Sequence, residues 1–237
     1  MKINHSQNTP FKARNIQLKD AQKIQNIINS EFPRISLSRL RYFDNFEKSN
    51  VLNENSKIVE NMKAIRYAIP NAYRAGERDY NYCTAFLNLI KKYPAANCGE
   101  NASLSEIVQK MNYVPMVRRF SLHCYNPKNP SLIIDNSHVF TISGINLPDK
   151  KITLNAKNNK PCALIQPENN SKAILTDSWL GEVDYVSNIY TKFKTLYNKI
   201  FQMPENFKFC LAPKPELFLS SSEIEKLRKS YPNLIIK

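Results

Sequence analysis

Residues 93–101 read Tyr-Pro-Ala-Ala-Asn-Cys-Gly-Glu-Asn, and the chain on their two sides follows different periodicities. Tyr93 and Pro94 close a preceding helix, because proline lacks an amide hydrogen and disfavours helical geometry in the residue before it. Beyond Cys98 the apolar residues Leu104, Ile107, Val108 and Met111 recur at three- and four-residue spacing, which predicts a new helix. Cys98 therefore stands in a first helical turn, facing unpaired backbone amides and the positive end of the helix dipole. Both favour thiolate over thiol, so this is a place for a nucleophilic cysteine. From this segment alone a buried structural cysteine explains the position equally well.

Upstream, the pattern is helical. Leu18, Ala21, Ile24, Ile27 and Ile28 form a stripe that stops at Phe32-Pro33. Ile58, Met62, Ile65 and Ile69 form a second stripe before Pro70, and Tyr82, Phe86, Leu89 and Ile90 a third, with Asp79 as N-cap. Downstream, β-branched and aromatic residues predict strands at 114–125 and at 138–145, with a turn over Asn126–Pro130 between them. Shorter pieces follow at 151–155 and 161–166, then a strand at 172–177 running into Ser-Trp-Leu-Gly. A helix over 184–200, a strand at 207–212 and a last helix with Ser222 and Glu225 as capping box complete the order. Helices first and an antiparallel sheet with flanking helices second predict an α+β fold. The expected organisation is a disordered polar leader at 1–16, a helical lobe at 17–92, and an α+β core at 93–237 that carries an insertion at 146–171.

Composition removes several function classes. Five cysteines (83, 98, 124, 162 and 210) with no Cys-x-x-Cys pair argue against a disulfide framework and a zinc site. They fit reduced thiols in a cytoplasm-like compartment. No apolar run is long enough to span a membrane, and the first residues lack the apolar stretch of a secretory signal. The expectation is a cytoplasmic protein, or one delivered to another cell without a Sec-type signal peptide. The net charge of +14 raises nucleic-acid binding, but the excess is spread along the chain with no block of like charge. A lysine-rich solvated surface accounts for it better.

Three polar residues remain at the edges of predicted elements: Cys98 opening a helix, His138 opening a strand and Asp177 closing one. Thiol catalysis needs a sulfur nucleophile, a histidine to take its proton and a third group to orient that histidine. Three of the four glycines, Gly99, Gly144 and Gly181, follow these positions closely, as they would where backbone takes unusual angles. Asn-Cys-Gly-Glu-Asn-Ala at a helix start, Ser-His-Val-Phe opening a strand and Leu-Thr-Asp-Ser-Trp-Leu-Gly ending one resemble the papain-like and transglutaminase-like cysteine hydrolase superfamily. Its bacterial effector-type cysteine peptidases and deamidases are the nearest in pattern. The resemblance extends over residues 93 to about 185. It implies Cys98 as nucleophile, His138 as general base and Asp177 as orienting acid, with a protein or peptide substrate and no metal or organic cofactor.

The chain departs from that pattern in two places. Residues 146–171 are longer than the hairpin usual between the histidine and aspartate strands, and no glutamine precedes Cys98 closely. The oxyanion would then be held by the Cys98 backbone amide and a second donor, the candidates being the side chains of Asn97 and Asn101. Trp179 is read either as a core plug beneath the Asp177 turn or as a cover over the imidazole. Glu100 favours the helix start, His123 is the rival base, and the other four cysteines are expected to be inert. A different class is also open: a basic, catalytically inactive protein that docks on an acidic partner or nucleic acid.

Overall fold

The computed structural model describes residues 17–34, 60, 61, 63–65, 67, 79–126, 128–145, 151–153, 161–163, 172–188 and 208–237. The leader at 1–16, most of the 146–171 insertion and residues 189–200 lie outside the described residues. The elements are α1 (Leu18–Glu31), α2 (Asp79–Lys92), α3 (Cys98–Met111), β1 (Arg118–Asn126), β2 (Asn129–Ser143), β3 (Lys151–Thr153), β4 (Pro161–Ala163), β5 (Ile174–Asp177), β6 (Glu182–Tyr185), β7 (Lys208–Pro213) and α4 (Ser221–Ser230). A 3₁₀ turn at Pro232–Leu234 follows. Mixed helix and antiparallel sheet make the fold α+β. The strands form one seven-stranded sheet in the order β3-β4-β7-β1-β2-β5-β6, every pairing antiparallel.

The helices share one apolar core. Ile24 and Ile28 of α1, Phe86, Leu87 and Ile90 of α2, Leu104, Ile107, Val108 and Met111 of α3, and Leu227 of α4 all belong to it. Removing these side chains from water is the main force holding α1 and α2 on α3. The ends of α3 are closed by hydrogen bonds. Asn97 and Glu100 form a capping box at its start, with Glu100 Oε2 accepting from Asn97 N at 3.0 Å. At its end Asn112 Nδ2 donates to Val108 O and Leu234 O, both at 2.8 Å, and Asn112 Oδ1 accepts from Ile236 N.

Several boundaries differ from the pattern reading. Strand β1 starts at Arg118 rather than 114, because Tyr113 and Met116 take left-handed backbone angles (φ 55° and 49°) in a turn that delays the strand. Strand β2 starts at Asn129 rather than 138, so the hairpin is tighter than expected and His138 lies inside a strand. The β1–β2 register shifts just beyond the Leu122–His138 pair, so His138 stands beside a bulge, where a side chain can be re-aimed. Residues 182–185 form strand β6, and helix begins only at 186. Helix α2 already includes Asp79, whose carboxylate instead accepts from Phe218 N. The capping box of α4 is Ser220 with Glu223, two residues before the expected pair, and Glu225 accepts from the Tyr113 hydroxyl.

Candidate functional site

A polar seam sets the register of the three elements that carry the candidate residues. Cys98, Ser105 and Gln109 lie near one face of α3, since steps of seven and eleven residues return almost to the same angle. Ser105 Oγ lies 2.9 Å from Thr141 Oγ1 of β2, and Gln109 Nε2 donates to both hydroxyls. Thr141 Oγ1 in turn donates to Thr176 O of β5, its partner across the ladder. From this anchor Cys98 is about 10 Å back along the helix and His138 about 10 Å back along its strand. Strand β5 runs antiparallel to β2, so Asp177 moves one step from Thr176 toward the same end.

The three candidate residues form a continuous chain of hydrogen bonds. The Cys98 side chain bonds His138, and His138 Nε2 donates to Asp177 Oδ2 at 2.5 Å. His138 and Asp177 are buried, while Cys98 is half-buried and so the most exposed of the three. Burial pulls the His138 pKa down. The negative charge and hydrogen bond of Asp177, joined by the hydrogen bond and charge of Cys98, outweigh it and raise the pKa to about 10. The imidazole is therefore a cation at neutral pH.

Asp177 divides its two oxygens between two tasks. Oδ2 takes His138, and Oδ1 accepts the backbone N–H groups of Trp179 and Leu180 at 3.0 and 3.1 Å. Its carbonyl accepts from Gly181 N at 2.8 Å. That tight turn needs the positive φ of 78° at Gly181, which glycine supplies without steric cost. Gly144 also has a positive φ, whereas Gly99 is helical and has open space where a Cβ would stand. The glycine at Gly99 thus answers to no close approach.

The remaining sequence candidates divide clearly. The ring of Trp179 packs on His138, centroids 4.9 Å apart, and the Phe140 ring lies 5.8 Å from that of His138. Trp179 thus covers the imidazole as well as filling the space beneath the turn. Asn97 caps α3 beside Cys98. Asn101, offered as an oxyanion donor, is corrected: its amide donates to Ala96 O and Asn97 O at 3.1 and 3.0 Å. Both N–H groups are thereby spent on the loop that leads into Cys98. His123 lies in β1 opposite Cys210 of β7, and the histidine bonded to Asp177 is His138. Cys83 is fully buried, and the side chains of Cys124, Cys162 and Cys210 lie outside those described.

Arg34 was not singled out by sequence reasoning. It follows the proline that stops α1, and its guanidinium donates to Ile28 O and Phe32 O at the helix end. A cation collecting terminal carbonyls is legible from such a position. Its further bonds to Asn101 Oδ1 and Ser178 O span 67 and 144 residues and have no local signature. Among the described residues no group of three or more His, Cys, Asp or Glu could hold a metal ion. Nor is any described helix long and apolar enough to cross a membrane. No family model, curated protein or solved structure matches the chain.

Proposed function

We propose that the protein is a thiol hydrolase of the papain-like or transglutaminase-like kind, acting on a peptide or glutamine-type amide through a Cys98 thioester. The observation that carries this reading is the bonded order Cys98–His138–Asp177, with Cys98 the most exposed of the three residues. Asp177 occupies Nε2, which leaves Nδ1 as the ring nitrogen for the thiol proton. In the resting state the proton sits on His138 and the sulfur is the nucleophile.

Attack forms the C–S bond and moves the carbonyl electrons onto oxygen, next to the first-turn amides of α3. Collapse breaks the C–N bond, and the leaving nitrogen takes the imidazolium proton as amine or ammonia. The proton is easier to give at this stage than at rest. Once sulfur is bonded to carbon its negative charge is gone, and one of the influences raising the His138 pKa goes with it. Neutral His138 then removes a proton from water, hydroxide adds to the thioester, and the acid departs as the thiolate returns. An amine in place of water would give acyl transfer by the same steps. Backbone cleavage, deamidation and transfer share this chemistry.

Site-resolved alkylation with iodoacetamide between about pH 5 and about pH 9 tests the reading. Cys98 is expected to react faster than every other cysteine below neutrality, and His138→Ala to remove the advantage. Equal rates, or indifference to His138→Ala, would overturn it. The alternative, a basic docking protein, rests on the charge of +14. It requires that Cys98→Ala leave partner binding intact and that salt weaken binding steeply.

A further inference from the structure

We propose that Arg34 is a positioning residue that fixes the Cys98 loop against the Asp177 turn. The inference rests on the thiol-hydrolase reading above. Two pieces of backbone must keep a set distance if Cys98 is to meet His138. One is the Ala96–Asn97 approach to the nucleophile, and the other is the Asp177–Gly181 turn that orients the imidazole. They are separated by about eighty residues of chain, and α1 packs against both α3 and β5.

The ties run through the end of α1. Arg34 Nε donates to Asn101 Oδ1, which turns the Asn101 amide so that both its N–H groups reach Ala96 O and Asn97 O. The same guanidinium reaches Ser178 O at a long 3.4 Å. A second route joins the same ends. Ser178 Oγ donates to Gln25 Oε1 at 2.6 Å, Gln25 Nε2 donates to Asn29 Oδ1 at 2.9 Å, and Asn29 Oδ1 accepts from Arg34 at 3.4 Å. Gln25 and Asn101 are buried, where an unmet polar group is costly, so each member holds the next in place. The planar fork of arginine serves this geometry because its donors point in several fixed directions at once; a lysine ammonium on a flexible stem does not.

A residue that only stabilised the fold would change melting temperature and leave the thiol alone. A positioning residue changes the pH profile of the thiol. The test is site-resolved iodoacetamide labelling of Cys98 across pH in the full chain, with thermal melts in parallel, for the native protein, Arg34→Ala, Arg34→Lys and His138→Ala. Arg34→Ala is expected to slow Cys98 labelling below neutrality about 10-fold and to move the profile toward that of an ordinary thiol. Arg34→Lys keeps the charge and the stem and supplies a folded variant should Arg34→Ala not fold; it is expected to remain about 3-fold slow. If His138→Ala removes the advantage of Cys98 while both Arg34 variants keep the native profile, the positioning role is overturned and the hydrolase reading stands. If His138→Ala changes nothing, both fall together.

Discussion

Cys83 and Cys98 lie on consecutive helices, and their surroundings differ in every respect that governs a thiol. Cys83 is fully buried in α2, inside the apolar core. Burial there pushes its pKa far above the ordinary thiol range, and the negative charges of Asp79 and Glu106 push it further. Cys98 stands in the first turn of α3, half-buried, bonded to a histidine that Asp177 keeps protonated. The same residue type thus serves as packing in one helix and as the half-buried partner of a histidine in the next. What separates them is position on the helix and the partner met there.

The largest expected effect tests the packing half of that contrast. Cys83→Asp places a carboxylate where no solvent reaches, at a cost of about 3–5 kcal/mol. Cys98→Ala removes a half-buried side chain at a helix start, one that is not a member of the apolar cluster, and is expected to stay within about 1 kcal/mol. Urea denaturation of the two variants measures both. Equal costs would break the comparison, since Cys98 would then be structural cement like Cys83.

The next effect concerns the partner that Cys98 has and Cys83 lacks. The folded His138 pKa of about 10 lies above the unfolded value of about 6.5. Its pairing therefore contributes stability that is fully present below about pH 6.5 and is lost as pH rises through about 10. The size is on the order of a few kcal/mol. Denaturation curves of the native chain and His138→Gln, taken across that window, should converge as pH rises. A constant gap between them would mean that His138 is no more protonated in the fold than in the open chain.

Much of this site was legible before any coordinate. Cys98 after Asn97, and Asp177 before Ser178-Trp179, sit where helix and strand patterns change, and the resemblance ordered them with His138. The start of α3 was readable because Tyr93-Pro94 closes the preceding helix and the apolar spacing resumes beyond Cys98, signals that all lie in one stretch of chain. The start of β2 was not readable. A strand that passes through a register shift before His138 breaks the alternation on which strand reading depends. The α4 cap was read two residues late because Ser220, Ser221 and Ser222 are chemically equivalent caps. Arg34 and Gln25 were missed for a deeper reason. Their partners Asn101 and Ser178 are distant in sequence, and only the packed tertiary structure brings them together. The Ser105–Thr141–Thr176 seam is likewise invisible to periodicity, which expects apolar residues at buried positions.

The smallest effect asks which feature of the Cys98 environment sets the sulfur apart. Trp179 packs on the His138 ring and is itself buried, yet its side chain acts on the imidazole by covering it. Trp179→Phe keeps an aromatic ring in the same space and loses some contact area, at an expected cost of about 1 kcal/mol. The bonds from His138 to Asp177 and Cys98 survive that change, so Cys98 labelling should slow by no more than about 3-fold, far less than with His138→Ala. Peptide mass spectrometry of alkylated Trp179→Phe measures the rate, and a thermal melt measures the cost. Should the rate fall as far as it does in His138→Ala, exclusion of water around the imidazole would be what distinguishes the sulfur. Cys83, more fully shielded and without a histidine, shows why shielding alone is the weaker explanation: in its case burial disfavours the anion and leaves the thiol inert.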